Sequence, residues 1–453
     1  MAENNFIGEI VDFDFKGKGI VKLDGVPVFL DGGIIGDKVE FQITKKKKNF
    51  CNGKIIKIIK KSSKRVKSPC IYSKTCGGCD FLELDSEEEL KWKVRDINNN
   101  LKKISGIDIE VSEIIQSEKL FEYRNNMQFQ VKDGKIGLYE KNSRDITPIK
   151  KCLMQSKNAN KVLEILWNFK HINKLKRIGI RTNYKDEVLL ILVTKSEKVD
   201  IKSIIYELIN SNVKSIYMNY NSGDKYHYSR EFELIYGDQT LEEKLLDIKY
   251  EISPESFFQV NRLTTEKLYE KAIEYIEPKE EEKIYDLYCG VGSITLSVAR
   301  YDAELIGIEI VEKAVEDARK NAENNNLEAR FIAGASEDII EKLKDEEKIY
   351  PDKIILDPPR KGLDESLANF LVENPVERIV YISCNPSTQA RDLKILKEKY
   401  KIEKIAAVNL FPNTVHVETI AVLSKIQLDN HKTVEIEEDY ISDINFSEVF
   451  TNN

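Results

Sequence analysis

A cysteine stands where a strand-like run of the sequence ends. The stretch 380–393 reads VYISCNPSTQARDL, and its apolar, β-forming residues stop just before Cys384 and Pro386. A proline cannot continue the hydrogen bonds of a strand, so the ladder must end here. Cys384 is then either a buried thiol that only packs or a nucleophile held over a pocket. The neighbouring motifs favour the nucleophile, because they supply the partners that it would need.

The stretch 284–299, IYDLYCGVGSITLSVA, predicts a ligand-binding loop between a strand and a helix. Its glycines, Gly290 and Gly292, let the backbone turn tightly and approach a ligand closely. Nineteen residues after Gly290, Glu309 ends the next predicted strand, where a carboxylate can accept hydrogen bonds from both hydroxyls of a ribose. A dinucleotide loop has a third glycine where Thr295 stands, so the pattern favours S-adenosylmethionine. The alternative is a tight turn that binds nothing.

Two further motifs carry carboxylates. Asp357 ends the fourth strand of this series, and the two prolines that follow it stiffen the loop. This would hold the carboxylate at a junction of cofactor and substrate, unless the motif is only a rigid turn. Glu418 and His416 precede another apolar strand, and either can act as a general base.

A thiol, a methyl donor and a base together indicate methylation of a pyrimidine at C5. C5 is a poor nucleophile, but a thiolate that adds to C6 gives C5 enolate character, so that it can attack a methylsulfonium. A base then removes the C5 proton, and elimination frees the cysteine. Cys289 lies in the predicted ligand-binding loop around Gly290 and Gly292, called the donor loop below, and is expected only to pack.

Four cysteines have the spacing of a metal-binding group. Cys70, Cys76 and Cys79 are spaced C-x5-C-x2-C, and Cys152 follows after a long gap. Four thiolates can bind tetrahedral zinc or an iron–sulfur cluster. Zinc ribbons usually contain two pairs of cysteines, each with the short spacing C-x2-4-C, so the single distant cysteine favours [4Fe–4S]. The alternative is a set of buried thiols that bind no metal. The odd total of seven cysteines argues against a disulfide framework.

The elements that must position these residues divide into four regions. Residues 1–62 alternate apolar and polar residues between glycine turns, which predicts an OB-like β-barrel. Residues 63–253 contain the cysteine loop, a helix at 84–104 that can pack on the catalytic domain, and a mixed α/β pattern. Residues 254–425 alternate strands and helices, which predicts a doubly wound parallel sheet with ligands at the carboxyl ends of its strands. Residues 426–453 are an acidic extension. The strands of the parallel sheet are predicted at 283–287, 304–308, 329–333, 353–356 and 378–382, with helices at 291–300 and 311–324.

The charge distribution indicates a polyanionic partner. The net charge is −7, from 70 basic and 77 acidic residues, yet residues 41–67 contain eleven Lys or Arg and no Asp or Glu. A compact basic block favours nucleic acid over a merely solvated surface. No apolar run approaches the ~18–20 residues of a membrane helix, and the N-terminus has no signal pattern, so we expect a cytoplasmic protein that does not contact membranes.

In this order, the motifs resemble those of the RNA (uracil-5-)-methyltransferases, and specifically the bacterial iron–sulfur type that acts on 23S ribosomal RNA. The resemblance extends over about residues 1–425. It implies an α/β fold with a C-terminal class I (Rossmann-like) methyltransferase domain, a central α/β domain with the cluster, and an N-terminal TRAM barrel that binds RNA.

The resemblance also implies roles for individual residues. SCNP matches the nucleophile motif, which makes Cys384 the attacking thiol, and HVET matches the base motif, which favours Glu418 over His416. Ser293 falls where some members carry an asparagine that contacts the donor. The implied [4Fe–4S] ligands are Cys70, Cys76, Cys79 and Cys152. The implied donor contacts are Gln259 in SPESFFQVN, Tyr288, Gly290, Gly292 and Ser293 in DLYCGVGS, and Glu309 and Asp357.

The implied partner is 23S rRNA, with the target uridine in a loop or single strand and flipped out of its stack. We expect a monomer whose lysine-rich barrel contacts phosphates. One alternative is the same chemistry on tRNA, which the barrel and cysteines disfavour because the family's shorter tRNA members resemble only the catalytic part. Others are methylation of an amino group, which Asp-Pro-Pro-Arg permits, and a non-catalytic rRNA-binding assembly factor.

Overall fold

The computed structural model describes residues 5–223 and 226–427. The acidic extension predicted for residues 426–453 therefore lies almost entirely outside the described residues. Among the described helices, none is both long and apolar enough to span a bilayer.

The N-terminal region is a six-stranded sheet folded around its own core. Its strands are β1 (Asn5–Glu9), β2 (Asp12–Phe13), β3 (Gly19–Leu23), β4 (Val26–Asp31), β5 (Lys38–Lys46) and β6 (Cys51–Lys60). They are ordered β1-β5-β6-β4-β3-β2 across the sheet. Val21, Val28 and Phe41 are buried on the inner face, as the alternation of apolar and polar residues predicts.

The next two elements are α1 (Ser86–Asn100) and β7 (Glu113–Ile115). The helix begins where the Asp85 carboxylate accepts a hydrogen bond from the Glu87 N–H, which satisfies a donor that has no partner within the helix. A wider helical turn over Leu101–Ser105 extends α1, and it ends at Gly106, whose φ of 65° suits glycine.

A seven-stranded sheet makes up most of the central region. Its strands are β8 (Asn126–Lys132), β9 (Lys135–Tyr139), β10 (Ile146–Pro148), β11 (Leu175–Thr182), β12 (Val188–Thr194), β13 (Val213–Tyr220) and β14 (Phe232–Gly237), with helices α2 (Lys157–Trp167) and α3 (Ile205–Asn210). The order is β10-β9-β8-β11-β12-β13-β14. Every residue of β12 is buried, which matches its continuous apolar sequence.

The C-terminal region contains the predicted doubly wound sheet, and the prediction is confirmed. The remaining strands are β15 (Leu241–Leu245), β16 (Ile248–Ile252), β17 (Lys283–Leu287), β18 (Glu304–Glu309), β19 (Arg330–Ala333), β20 (Lys353–Leu356), β21 (Arg378–Ser383), β22 (Tyr400–Val408) and β23 (Glu418–Lys425). The remaining helices are α4 (Arg262–Ile276), α5 (Ser293–Val298), α6 (Glu312–Asn324), α7 (Ser336–Asp345), α8 (Glu365–Glu373) and α9 (Pro386–Leu396).

The sheet has the order β19-β18-β17-β20-β21-β23-β22-β7. The five strands β19, β18, β17, β20 and β21 are parallel to one another. β23 is antiparallel to both of its neighbours, β21 and β22. From β17 the chain adds β18 and β19 on one side of the sheet and then β20 and β21 on the other. Such a switch point opens a crevice at the carboxyl ends of the strands.

Two elements from before residue 254 belong with the C-terminal region: β7 extends its sheet, and α1 packs against it. β7 pairs in parallel with β22, with Ala406 opposite Glu113. Ile97 of α1 and Leu101 pack in the same buried cluster as Leu393 of α9. A three-residue strand is too short to show a periodic pattern, so β7 could not be assigned to this sheet from sequence.

Candidate active site

The carboxyl edge of the C-terminal sheet brings five of the predicted motifs together. The donor loop follows β17, Glu309 ends β18, Asp357 follows β20 and Cys384 follows β21. β23 runs the other way, so its first residue, Glu418, lies at this same edge. In the β21–β23 ladder Ser383 is opposite Thr419, which sets Cys384 beside Glu418 one step further on.

Cys384 lies between a strand end and a helix N-terminus. Asn385 caps α9, because its side-chain oxygen accepts from the Ser387 N–H at 3.3 Å, and Pro386 occupies the first turn. The chain therefore leaves β21 and enters α9 around the thiol. A helix N-terminus favours a thiolate, but burial, then Glu418 and Asp357, raises the pKa of Cys384 to about 11. Arg360 acts in the opposite direction.

Glu418 is a buried carboxylate, only 4% exposed. Burial, followed by the charge of Asp357, raises its pKa to about 8, and Arg360 opposes the shift. A carboxylate with this pKa is a much stronger base than an exposed glutamate, so its position and its proton affinity both suit removal of a proton from carbon.

His416, the alternative base, faces a cation. Its Nδ1 lies 2.8 Å from Nη2 of Arg360. Burial and the Arg360 charge lower the pKa of His416 to about 4. The imidazole is therefore neutral and a weaker base than Glu418.

Asp286 and Asp357 add negative charge to the same crevice. Burial, opposed by the hydrogen bond that Asp286 accepts from Thr295 Oγ1 at 2.6 Å, raises the pKa of Asp286 to about 7. No hydrogen bond among the described residues reaches its Oδ1. Burial and Asp286 raise the pKa of Asp357 to about 7 as well. A set of buried carboxyls of this kind favours a cationic ligand, because a positive charge would stabilise their ionised forms.

The donor loop adopts the tight turn that its sequence predicts. Tyr288, Gly290 and Gly292 have φ of 72°, 56° and 79°, and a Cβ at Gly290 would meet no atom within 4 Å. Open space beside this backbone is what a ligand-binding loop requires. A tyrosine at positive φ is strained, as residues at ligand sites often are.

The Glu309 carboxylate is held against the loop. Its Oε2 accepts from the Gly290 N–H at 3.2 Å, and its Oε1 accepts from the Val311 N–H at 2.8 Å. These bonds orient the carboxylate and leave lone pairs for ribose hydroxyls. Ser293 instead shares a hydrogen bond of 2.8 Å with the Tyr269 hydroxyl.

Gln259 lies outside the sheet, in the segment that joins β16 to α4. It is half-buried, and its carbonyl accepts from Asn125 Nδ2 at 3.0 Å. Phe258, the residue before it, packs on the Tyr250 ring, and the Tyr250 hydroxyl donates to the Ser293 carbonyl at 3.2 Å. The segment is thereby connected to the donor loop.

The four predicted metal ligands line one cavity of about 500 Å³, on the central sheet beside β8. Burial, together with Cys76 and Cys70, raises the pKa of Cys152 to about 11, and burial and the other three thiols raise that of Cys79. Among residues 5–223 and 226–427, however, no three His, Cys, Asp or Glu side chains are grouped around a point where a single metal ion would bind. The structure thus brings the cysteines to one cavity without drawing their sulfurs to one centre.

A network that the sequence did not reveal holds the segment leading to Glu418. Buried Lys93 of α1 donates to Asn409 Oδ1 at 2.8 Å and to the Phe411 carbonyl at 3.1 Å. Both oxygens of Glu89 accept from the Asn413 N–H at 3.0 Å. Glu89 and Lys93 are four residues apart on a helix, a spacing that usually marks an exposed ion pair, so no signal distinguished them.

Asp80, the residue after Cys79, takes part in the same network. Its Oδ2 accepts from the Val415 N–H at 3.2 Å, and the Asp80 N–H donates to the Asn413 carbonyl at 2.9 Å. The cysteine loop therefore touches the segment that ends at Glu418.

Comparison with known proteins gives consistent matches. A sequence model of the family described as tRNA (Uracil-5-)-methyltransferase matches residues 85–426. An uncharacterized RNA methyltransferase of Clostridium tetani is 38% identical over 436 residues, covering 90% of this chain and 94% of its own. An uncharacterized RNA methyltransferase of Staphylococcus aureus is 36% identical over 449 residues, covering 94% and 99%.

A solved structure also matches along most of the chain. It is the Pyrococcus abyssi tRNA (uracil-54, C5)-methyltransferase in complex with S-adenosyl-L-homocysteine, with a TM-score of 0.76 and 29% identity, covering 92% of this chain and 100% of that one. The match supports a Rossmann-like methyltransferase fold. The match also corrects the expectation that tRNA enzymes of the family resemble only the catalytic part of this chain, because this tRNA enzyme matches 92% of it. The length of the resemblance therefore does not favour rRNA over tRNA.

Proposed function

The chain belongs to the tRNA (uracil-5-)-methyltransferase family, and we propose that it transfers a methyl group from S-adenosylmethionine to C5 of a uridine in 23S ribosomal RNA. The observation that carries the chemistry of the proposal is the position of Cys384 beside Glu418 and Asp357, at the strand edge where the donor loop also lies. The choice of 23S rRNA rests on the resemblance of the four cysteines to the iron–sulfur type of the family. A thiol, a base and a donor site within one crevice are the three parts that C5 methylation needs.

Cys384 begins the reaction as a thiolate, after its proton has passed to water. The thiolate adds to C6 of the flipped uracil, which moves electrons toward O4 and makes C5 nucleophilic. C5 takes the methyl group from the donor, whose sulfonium becomes a neutral thioether. Glu418 then removes the C5 proton, the C6–S bond breaks, and Cys384 is released. Burial raises the pKa values of Asp357, Asp286 and Glu418, and a cationic donor in the crevice would stabilise their ionised forms.

The donor contacts that we propose are Gln259, Tyr288, Gly290, Gly292, Ser293, Glu309 and Asp357. Support comes from the open backbone at Gly290 and from the orientation of Glu309 by the Gly290 and Val311 amides. Ser293 contributes through its backbone position, since its hydroxyl is already bonded to Tyr269.

We further propose that Cys70, Cys76, Cys79 and Cys152 hold a [4Fe–4S] cluster. A single zinc ion draws its four sulfurs to about 2.3 Å from one centre, whereas a four-iron cluster takes one thiolate at each iron. The four thiols line one cavity, so each is available to bind one iron of such a cluster. Its binding would fasten the loop that contains Cys79 to the central sheet.

Protein purified without oxygen should be brown and contain about four irons per chain. Cys79→Ser should lose this iron and the visible absorption. Cys51→Ser, which changes a buried cysteine of the N-terminal sheet, should keep both. Iron and zinc are measured by elemental analysis, and stoichiometric zinc without iron would contradict the cluster.

We propose that the lysine-rich hairpin formed by the end of β5 and the turn into β6 provides affinity for RNA. Lys45, Lys46, Lys47 and Lys48 are exposed, and they make no ion pair among the described residues. Cations of this kind bind phosphates and release counterions, so affinity falls as salt rises.

Changing Lys46 and Lys47 together to Gln should therefore weaken RNA binding and reduce the slope of log affinity against log salt by about 1.4, or about 0.7 for each lost contact to a single strand. The matched control is Lys195→Gln with Lys202→Gln, two exposed lysines of the central region. Binding is measured by filter retention at several salt concentrations. Equal slopes for the two double variants would remove the hairpin from the RNA interface.

A second substrate, tRNA, is favoured by the match to the tRNA (uracil-54, C5)-methyltransferase. Mapping 5-methyluridine in 23S rRNA and in tRNA, from cells with and without the protein, separates the candidates. A site that disappears only from 23S rRNA supports the proposal, and a site that disappears from tRNA replaces it. If neither changes, and purified protein methylates neither RNA, the proposal fails, and a non-catalytic RNA-binding factor is the alternative to test next by RNA binding.

A further inference from the structure

The segment 253–259, between β16 and α4, lies between the central and C-terminal sheets. It carries Gln259, the proposed donor contact, and Phe257, whose ring is 72% exposed. A short connection that presents functional side chains must be held rigidly if those side chains are to stay in position. Two buried charged residues hold this segment: Arg181 of β11 in the central sheet and Asp317 of helix α6.

Arg181 of β11 binds the backbone of the segment. Its Nη1 donates to the Ser253 carbonyl at 3.0 Å, and its Nη2 donates to the Ser256 carbonyl at 2.6 Å. The side chain is buried, and burial lowers its pKa to about 10. Asn125 fixes the other end, because its N–H donates to the Val260 carbonyl at 2.9 Å.

Asp317 of α6 binds the side chains of the same segment. Its Oδ2 accepts from the Ser256 hydroxyl at 2.6 Å and from the Ser253 hydroxyl at 3.3 Å. Its Oδ1 lies 3.2 Å from Lys313 Nζ. The carboxylate is 6% exposed, so these bonds are shielded from competing water.

The helix that carries Asp317 also begins just after Glu309. α6 starts at Glu312, and Glu309 is the proposed ribose contact. One rigid helix therefore connects the two ends of the donor site: it begins beside Glu309, and its second turn holds the segment that carries Gln259.

We propose that Asp317 and Arg181 are positioning residues that set donor affinity, by fixing segment 253–259 so that Gln259 lies over the donor. This inference rests on the proposed function. Neither residue touches the reacting atoms. Their loss should therefore weaken donor binding and raise the donor KM, with a smaller effect on kcat at saturating donor.

The decisive variant is Asp317→Ala, and Glu316→Gln is its matched control. Glu316 is the preceding residue of α6 and also lies 3.2 Å from Lys313 Nζ, but it is exposed and makes no bond to the serines. Asp317→Asn keeps an oxygen that can accept from Ser256 and should recover most of the affinity.

Binding of S-adenosylhomocysteine is measured by calorimetry, and the KM for donor and for RNA by methyl transfer. We expect Asp317→Ala to weaken S-adenosylhomocysteine binding and raise the donor KM about tenfold, which is the effect of losing a charge-assisted hydrogen bond. The RNA KM should stay within about twofold of wild type, and Glu316→Gln should match wild type in every measurement. If Asp317→Ala does not fold, Ser256→Ala tests the same bond by removing only its donor.

Unchanged donor affinity in Asp317→Ala would overturn the inference. So would an equal rise in both KM values with a lowered Tm, because that pattern reports general destabilisation. Failure of the wild-type protein to bind S-adenosylhomocysteine would instead overturn the proposed function, so the two failures can be told apart.

Discussion

Cys384→Ala should abolish methylation of uridine, with activity at least about 10⁴-fold below wild type, the effect of removing a covalent nucleophile. Without the thiol, nothing adds to C6, and C5 cannot attack the donor. S-adenosylhomocysteine binding should be retained, since Cys384 follows β21 and the donor loop follows β17. Activity is measured as transfer of labelled methyl groups to RNA.

Cys51→Ala is the control for this variant. It removes a thiol that is 4% exposed in the core of the N-terminal sheet, and its activity should equal that of wild type. Full activity of Cys384→Ala would contradict the covalent route and favour methylation of an amino group, which needs no thiol.

The electrostatics of the crevice indicate when Cys384 becomes reactive. Burial and two carboxyls raise the pKa of the thiol to about 11, so it is protonated at neutral pH in the absence of other charges. A cationic donor in the crevice would offset Asp357 and Glu418 and lower the pKa of the thiol. The thiol should therefore be more reactive in the complex with the donor than in the free protein.

The parallel sheet explains why the shared position of the motifs in the candidate site was predictable from sequence. Each motif there follows a short apolar run, and the carboxyl ends of parallel strands meet at one edge. The predicted strands at 283–287 and 353–356 match β17 and β20 to the residue, and that at 378–382 is one residue shorter than β21.

Long-range contacts explain what the sequence did not show. Asp317 and Arg181 lie far apart in the chain, and each has the sequence appearance of a surface residue. Only the fold brings them to the two sides of segment 253–259. The burial of Lys93 is likewise set by Asn409 and Phe411, more than 300 residues away. No local pattern encodes such partners.

Glu418→Gln should trap a covalent complex between protein and RNA. In the proposed reaction the methylated adduct still holds the C5 proton, and elimination of Cys384 requires a base to take it. An amide of nearly the same shape cannot take a proton, so methyl transfer should occur once and stop. The complex is detected as a denaturant-resistant band that contains both methyl label and RNA, close to one RNA per chain.

Loss of the donor's positive charge on methyl transfer strengthens Glu418 as a base for this step in the wild-type protein. After transfer the sulfonium has become neutral, so the pKa of Glu418 is again held near 8 by burial and Asp357. The glutamate is then a stronger base than an exposed one, with an ordinary value of 4.5. Because only its ionised form takes the proton, breakdown of the adduct should accelerate as pH rises toward about 8 and level off above it. Quenched single-turnover reactions at several pH values measure this rate.

Two variants decide whether Glu418 is the base. Cys384→Ala combined with Glu418→Gln should give no band, because the bond that is trapped is the Cys384–C6 bond. His416→Ala should turn over without accumulating the complex, since the imidazole is a weak base whose pKa is lowered to about 4 beside Arg360. A trapped complex in His416→Ala, with none in Glu418→Gln, would transfer the role to His416. This outcome would also require Arg360 to move, because it lies 2.8 Å from His416 Nδ1 and opposes protonation there.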